Sequence, residues 1–130
     1  LGWQVWLLGS DKDNAICTEI NLATKSRCEN LAGKTELGQV IDLMSCAAAI
    51  VSNDSGLMHI AAALDKPLVA IYGSSDPGFT PPLSEQVEIL SLSLPCSPCF
   101  KRTCPLGHLD CLEKLEPEMA SKAIDSLLDK

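Results

Sequence analysis

The chain has 130 residues, a formal net charge of −7, 46% hydrophobic residues and only 4% aromatic residues. The acidic balance argues against nucleic acid or an anionic membrane surface as an electrostatic partner, so any phosphate must be held by local backbone amides. The length predicts one small domain with an aliphatic core. We find no secretory signal pattern and no apolar run long enough for a membrane span, which favours the cytoplasm.

Apolar periodicity and breaker residues predict alternating strands and helices. In chain order these are a strand at 4–8, a helix at 11–25, a short strand at 28–31, a helix at 35–46, a strand at 47–51, a helix from 56, a strand to Tyr72, a strand at 87–92 and a helix from 116. The apolar helix positions expected to face the core are Ala15, Ile16, Ile20, Leu22, Ala23, Leu37, Val40, Ile41, Leu43 and Met44. This alternation predicts an α/β fold with a Rossmann-like parallel sheet and helices on both faces.

In such a sheet, ligands bind beyond the carboxyl ends of the strands. Three turns are therefore expected to converge at one edge, at residues 9–13, 32–37 and 53–56. The third turn, Asn53-Asp54-Ser55-Gly56, opens a helix whose first N–H groups would face a ligand. The amides of Ser55, Gly56 and Leu57 suit a diphosphate. The same residues are also compatible with a purely structural helix start, in which Asp54 or Ser55 is an N-cap.

His59 lies one turn into the predicted helix and either orients the loop or reaches a phosphate; a hydrogen bond to a neighbouring carbonyl is the structural alternative. In the first turn, Asp11 or Asp13 could accept hydrogen bonds from ribose hydroxyls. A solvated helix start with favourable dipole placement explains those carboxylates equally well.

A cysteine-rich loop spans residues 95–111. Cys96, Cys99, Cys104 and Cys111, with His108 nearby, have the ligand types and number of a tetrahedral Zn²⁺ site, although the spacing is irregular for a zinc ribbon. Reduced thiols, bound metal and disulfides all remain open for this loop. The remaining cysteines, Cys17, Cys28 and Cys46, are expected to be small core residues.

The string NDSGLMHIAAALDKPLVAIYGSSDP resembles the signature of the glycosyltransferase family 9 heptosyltransferases, and GSSDPGFTPPLS resembles its continuation in the heptosyltransferase II branch. The resemblance is densest over residues 30–84. It implies a GT-B architecture of two Rossmann-like domains, of which this chain is expected to be part of the carboxyl-terminal, donor-binding one. The amino-terminal acceptor domain, with the catalytic base, is expected to lie outside these 130 residues.

The resemblance also implies a donor, ADP-heptose, and an acceptor, the inner core of lipopolysaccharide, with possible peripheral contact of the whole enzyme with the cytoplasmic face of the inner membrane. Asp54 would then cap the helix or bind sugar hydroxyls, while Thr35 and Leu37 occupy the positions expected to contact adenine. No catalytic residue and no required cofactor are expected in this chain, which alone should be inactive. The alternatives are a metal-stabilised nucleotide-binding or interaction module without catalysis, and a family 9 enzyme with another acceptor.

Overall fold

The computed structural model describes residues 2–130, and the chain divides into two compact units after Leu43. The first unit contains strand β1 (Val5–Leu7), a 3₁₀ turn (Asp11–Asp13), helix α1 (Asn14–Ala23) and strand β2 (Cys28–Asn30). β1 and β2 form a parallel pair in which Val5 lies opposite Cys28. Helix α2 (Leu37–Cys46) runs across the division between the units.

The helix predicted at 11–25 is two elements. The side chain of Asp13 accepts a 2.8 Å hydrogen bond from the Ser10 N–H, which completes a capping box around the 3₁₀ turn. α1 follows directly and ends before Lys25 and Ser26, which have left-handed backbone angles (φ 56° and 59°). A left-handed backbone stops helical hydrogen bonding, so the backbone conformation of these two residues explains why α1 ends here.

The predicted inner face of α1 is wrong. Ile16, Ile20 and Leu22 are exposed, Leu22 by 70%, whereas Cys17 is buried. Cys17 and Asn21 are one turn apart and share a face, and the Asn21 side chain accepts a 3.1 Å hydrogen bond from the backbone N–H of Cys28 in β2. The face that carries Cys17 and Asn21 therefore packs on β2, and the more apolar residues lie outside it.

The second unit holds a three-stranded parallel sheet in the order β3 (Ile50–Asn53), β4 (Leu68–Ile71) and β5 (Val87–Leu90). Helix α3 (Gly56–Ala63) connects β3 to β4, as the strand–helix–strand pattern predicts. The register places Asn53, Ile71 and Leu90 in one row at the carboxyl ends of the strands. β3 starts three residues later than predicted and continues through Ser52 and Asn53.

Two further helices complete the second unit, α4 (Asp110–Glu113) and α5 (Pro117–Leu128). α5 begins with a proline at its first turn, where the missing N–H costs nothing. It contacts β4 and β5, with Ala123 and Leu127 packed on Val69, while α3 contacts β3 and β4. All of Leu68, Val69 and Ala70 are fully buried, so both faces of β4 are covered.

The predicted burial of α2 residues and of the cysteines is only partly confirmed, and one short helix was not predicted. Val40 and Met44 of α2 are buried as expected, but Leu37, the first residue of the helix, is 61% exposed. Cys46, predicted to be a core residue, is exposed at the end of the same helix, and Cys28 is half-buried. The short helix α4 follows a left-handed residue, Leu109 (φ 53°), and has no periodic apolar pattern that could have predicted it.

Candidate functional site

The start of α3 lies at the carboxyl edge of the three-stranded sheet. Ser55 precedes the helix in extended conformation, and its side chain makes no capping hydrogen bond to the helix N–H groups. Its hydroxyl instead lies 3.4 Å from that of Ser52. A Ser at this position normally satisfies one of the first N–H groups of a helix. The first turn of α3 therefore lacks that side-chain cap, and an anion could take its place.

Gly56 is the first residue of α3, and the space beside it is open. A Cβ built there meets no atom within 4 Å, and its backbone is not in the left-handed region. The fold therefore does not need glycine here for steric or conformational reasons. An open approach to helix N–H groups is what a diphosphate requires, because its oxygens must come within about 3 Å of the amides.

Asp54 joins the turn to the middle strand of the sheet. Its backbone N–H donates a 3.1 Å hydrogen bond to the carbonyl of Ile71, the last residue of β4. Its side chain is half-buried. Burial raises the pKa of the neighbouring Tyr72 phenol, and the negative charge of Asp54 raises it further, against a smaller lowering by the hydrogen bond to Thr80.

Tyr72 was not singled out from the sequence. Its side chain is completely buried, and its hydroxyl donates a 2.6 Å hydrogen bond to the backbone carbonyl of Thr80. This bond ties the loop after β4 to the sheet beside the Asp54 turn. A buried tyrosine needs a hydrogen-bond partner for its hydroxyl. The chain's single Tyr, at the end of an apolar strand, was therefore the sequence signal for such a bond.

The other predicted residues of this turn lie on α3. His59 is exposed, and it lies three residues after Gly56 on the same side of the helix. Leu57 is half-buried, and Met58 is completely buried in the core. His59 is therefore accessible above the first turn, while Leu57 contributes its backbone N–H.

Two of the three predicted turns meet within the first unit. The N–H of Gly33 donates to the carbonyl of Gly9 at 3.0 Å. Gly33 has a φ of +72°, and a Cβ there would clash with the Asp11 carboxylate. Glycine is thus required at this crossing of the two turns. The third turn, residues 53–56, belongs to the second unit.

The donor-binding residues predicted in the first unit are Asp13, Thr35 and Leu37. The Asp13 carboxylate accepts hydrogen bonds from the N–H and the hydroxyl of Ser10 and so caps the turn to which it belongs. The Thr35 hydroxyl is buried without a hydrogen-bond partner, which is an unusual state for a polar group. Leu37, two residues further along the chain, has an exposed apolar side chain. The roles proposed for these residues in binding ribose and adenine stay predictions.

The cysteine-rich loop contains free thiols throughout. Cys96 is exposed, whereas Cys99, Cys104 and Cys111 are half-buried. Within residues 2–130, the structure contains no group of three or more His, Cys, Asp or Glu side chains already arranged to hold a metal ion. The predicted zinc ligation stays a prediction. Over the same residues, no helix has the length and apolar character that crossing a membrane would require.

Comparison with known proteins identifies the family. Residues 1–110 match the model of glycosyltransferase family 9 (heptosyltransferase). The chain is 43% identical over 133 residues to lipopolysaccharide heptosyltransferase 2 of Salmonella typhimurium, covering 99% of this chain and 38% of the relative. The corresponding Escherichia coli K12 protein is 42% identical, with 98% and 38% covered.

Solved structures agree on the fold. The structure of E. coli ADP-heptose LPS heptosyltransferase II matches with a TM-score of 0.83 at 41% identity, covering 98% of this chain and 37% of that one. A family 9 glycosyltransferase from Veillonella parvula matches with a TM-score of 0.84 at 25% identity, with the same coverage. The chain thus spans somewhat over a third of the length of these relatives. The family match over most of the chain and the close relatives establish that it belongs to glycosyltransferase family 9.

Proposed function

We propose that this chain is the donor-binding part of an ADP-heptose:lipopolysaccharide heptosyltransferase, which transfers heptose to the inner core of lipopolysaccharide. The relatives named for that activity, at 42–43% identity over nearly the whole chain, support the proposal. The observation that carries it is the start of α3, where an uncapped helix turn faces open space beside Gly56. The similar E. coli protein is described by its ADP-heptose substrate, which contains a diphosphate of the kind such a turn would bind.

The reaction moves an electron pair from the acceptor to the donor. An acceptor hydroxyl, losing its proton to a base outside these 130 residues, forms a bond to the anomeric carbon, and the bond from that carbon to ADP breaks. Negative charge then grows on the leaving diphosphate. The N–H groups of Ser55, Gly56 and Leu57 would stabilise that charge, and the fixed donor would need little reorganisation.

We assign Asp54 to the sugar of the donor. A carboxylate repels phosphate, but it accepts hydrogen bonds from sugar hydroxyls well. Its backbone is anchored to β4, and the Tyr72–Thr80 hydrogen bond secures the adjacent loop, so its position is well defined. His59, exposed one turn further along α3, would contact the diphosphate or position it.

The proposal places the enzyme in the cytoplasm, in peripheral contact with the inner membrane where its acceptor is found. Two exposed aromatic side chains, Phe79 and Phe100, pack edge to face with ring centres 6.1 Å apart. The basic residues Lys101 and Arg102 follow directly in the chain. Exposed aromatic and basic residues that follow one another in the chain favour a membrane interface locally, although the chain as a whole is acidic.

The decisive experiment measures the affinity of the protein, expressed from its complete gene, for ADP, ADP-heptose and a UDP-sugar. We expect ADP and ADP-heptose to bind, and the UDP-sugar to bind much more weakly. Equal affinity for all three would favour the non-catalytic nucleotide-binding module. A normal donor affinity with no heptose transfer to lipopolysaccharide would instead indicate a family 9 enzyme with another acceptor.

The variant Asp54→Asn separates the sugar from the phosphates. It keeps the size and the capping ability of the side chain but removes its charge. If Asp54 binds the sugar, the affinity for ADP-heptose falls while the affinity for ADP stays constant. If the carboxylate lies against the phosphates, ADP binding becomes tighter in the variant, and the assignment of Asp54 to the sugar is wrong.

A further inference from the structure

The cysteine-rich loop encloses a cavity of about 100 Å³ in the second unit. All four cysteines of the loop line it, together with His108 and with the basic residues Lys101 and Arg102. Its other lining residues are Ser74, Ser97, Pro105, Leu106, Leu109 and Leu112. A cavity of this size has ample room for a single metal ion. Four thiols around one cavity are an unusual concentration of soft, polarisable ligands.

One of the four thiols lies in a turn rich in backbone N–H groups. The N–H groups of residues 106–109 all donate hydrogen bonds to the sulfur of Cys104. Positive φ angles at Gly107 (74°) and Leu109 (53°) give the turn the concave shape in which successive N–H groups point inward. Such backbone concavities bind anions, including the sulfur atoms of metal clusters.

The loop is fastened to the carboxyl end of β4. The Ser97 hydroxyl donates a 2.6 Å hydrogen bond to the carbonyl of Gly73, and the Phe100 N–H donates a 2.8 Å bond to the carbonyl of Ser74. Cys111 lies in α4, and its sulfur would be 3.3 Å from a Cβ at Gly73. The loop and α4 are therefore both attached to the carboxyl end of β4, and their four cysteines border one cavity.

We propose that this cavity binds one Zn²⁺ through the thiolates of Cys96, Cys99, Cys104 and Cys111. Zinc prefers four sulfur or nitrogen ligands in tetrahedral geometry, at about 2.3 Å from sulfur. On binding, four thiols release their protons to solvent and the site takes a net charge of −2. Lys101 and Arg102, both lining the cavity, compensate that charge in a chain that is otherwise acidic.

His108 lines the cavity but is not among the ligands. Its Nδ1 accepts a 3.1 Å hydrogen bond from the N–H of Asp110. That bond engages one ring nitrogen within the loop itself, so we assign the metal to the four cysteines.

The thiols line the cavity without being gathered around one point, as the lack of any ready metal-holding group among residues 2–130 shows. Binding must therefore turn their side chains inward and tighten the loop. The site would be structural, because it holds the segment between β5 and α5 against the carboxyl end of β4. It does not depend on the donor-binding role proposed above.

The test measures zinc content and Co²⁺ binding of the reduced protein expressed from its complete gene. We expect one equivalent of zinc, and an absorption spectrum of the cobalt form typical of tetrahedral thiolate ligation. Cys104→Ser should lower the affinity by at least tenfold, as should Cys99→Ser. The matched control is Cys46→Ser, which removes an exposed cysteine outside the loop and should leave binding unchanged.

Two results would overturn the proposal. One is well under one equivalent of zinc in the reduced wild-type protein after incubation with the metal. The other is cobalt bound without sulfur-to-metal absorption, which would show that the thiols are not the ligands. The wild-type spectrum needs no variant, so the proposal stays testable even if Cys104→Ser folds poorly. Nucleotide affinity measured on the same sample tells a failure of this site apart from a failure of the proposed donor site.

Discussion

Replacing Gly56 with valine tests the diphosphate assignment, because the fold tolerates a side chain at this position whereas a bound diphosphate would not. The new side chain meets no protein atom within 4 Å of its Cβ, and the backbone of Gly56 is not left-handed. Valine is also a somewhat better helix former than glycine. We therefore expect the free energy of unfolding to change by no more than about 0.5 kcal/mol.

The ligand should respond far more strongly. A branched side chain at the first residue of α3 fills the space through which phosphate oxygens reach the helix N–H groups. A hydrogen bond to a charged group contributes about 1.5–3 kcal/mol, so loss of one reduces ADP affinity about tenfold to a hundredfold. Turnover should fall by about 10²–10³-fold if a donor to the leaving group is lost in the transition state.

The assay is calorimetric titration with ADP and ADP-heptose, beside urea unfolding of the same samples. The matched control is Ala63→Val, which adds a branched side chain at the exposed far end of α3, about 10 Å away along the helix. Its ligand affinity should equal that of the wild type. A well-folded Gly56→Val protein with wild-type ADP affinity would refute the reasoning, because the phosphates would then lie elsewhere.

Three further outcomes are expected. Gly33→Ala should lower the free energy of unfolding by about 1–2 kcal/mol in urea denaturation, because Gly33 has a φ of +72° and an added Cβ would clash with Asp11. The control Gly38→Ala, which has open space at its Cβ, should not destabilise the protein. Equal stability of the two variants would contradict this prediction. Tyr72→Phe should cost about 0.5–1.5 kcal/mol at neutral pH through the lost bond to Thr80. The raised pKa of Tyr72 means that the folded protein holds the phenol proton more tightly than the unfolded chain does, so wild-type stability should fall as pH rises above about 10. Tyr72→Phe should lack this pH-dependent loss of stability. Parallel pH profiles of unfolding for the two proteins would argue against this role of Tyr72. Finally, the 130-residue chain alone should show no transfer of heptose to lipopolysaccharide, and measurable turnover would place a catalytic base within it.

The local sequence pattern was enough to predict the β3–α3–β4 unit of this protein. The apolar run ending at Val51, the small polar turn and the small-residue helix after it are contiguous in the chain, so their order predicts a parallel strand–helix–strand unit. The proline at the start of α5 marks that helix for an equally local reason. The family was also predictable, because residues 53–77 lie within one continuous segment whose composition is distinctive.

Only tertiary structure decided which surfaces and contacts these elements use. α1 faces β2 with the side that carries Asn21, whose side chain bonds to Cys28 seven residues along the chain, while Ile16 and Leu22 are exposed. Likewise, Tyr72 bonds to Thr80 across a loop, and Ser97 bonds to Gly73 across 24 residues. Helical and strand periods report on the face of a single element, whereas these bonds join a helix to a strand or a strand to a loop, so periodicity alone could not identify the partners.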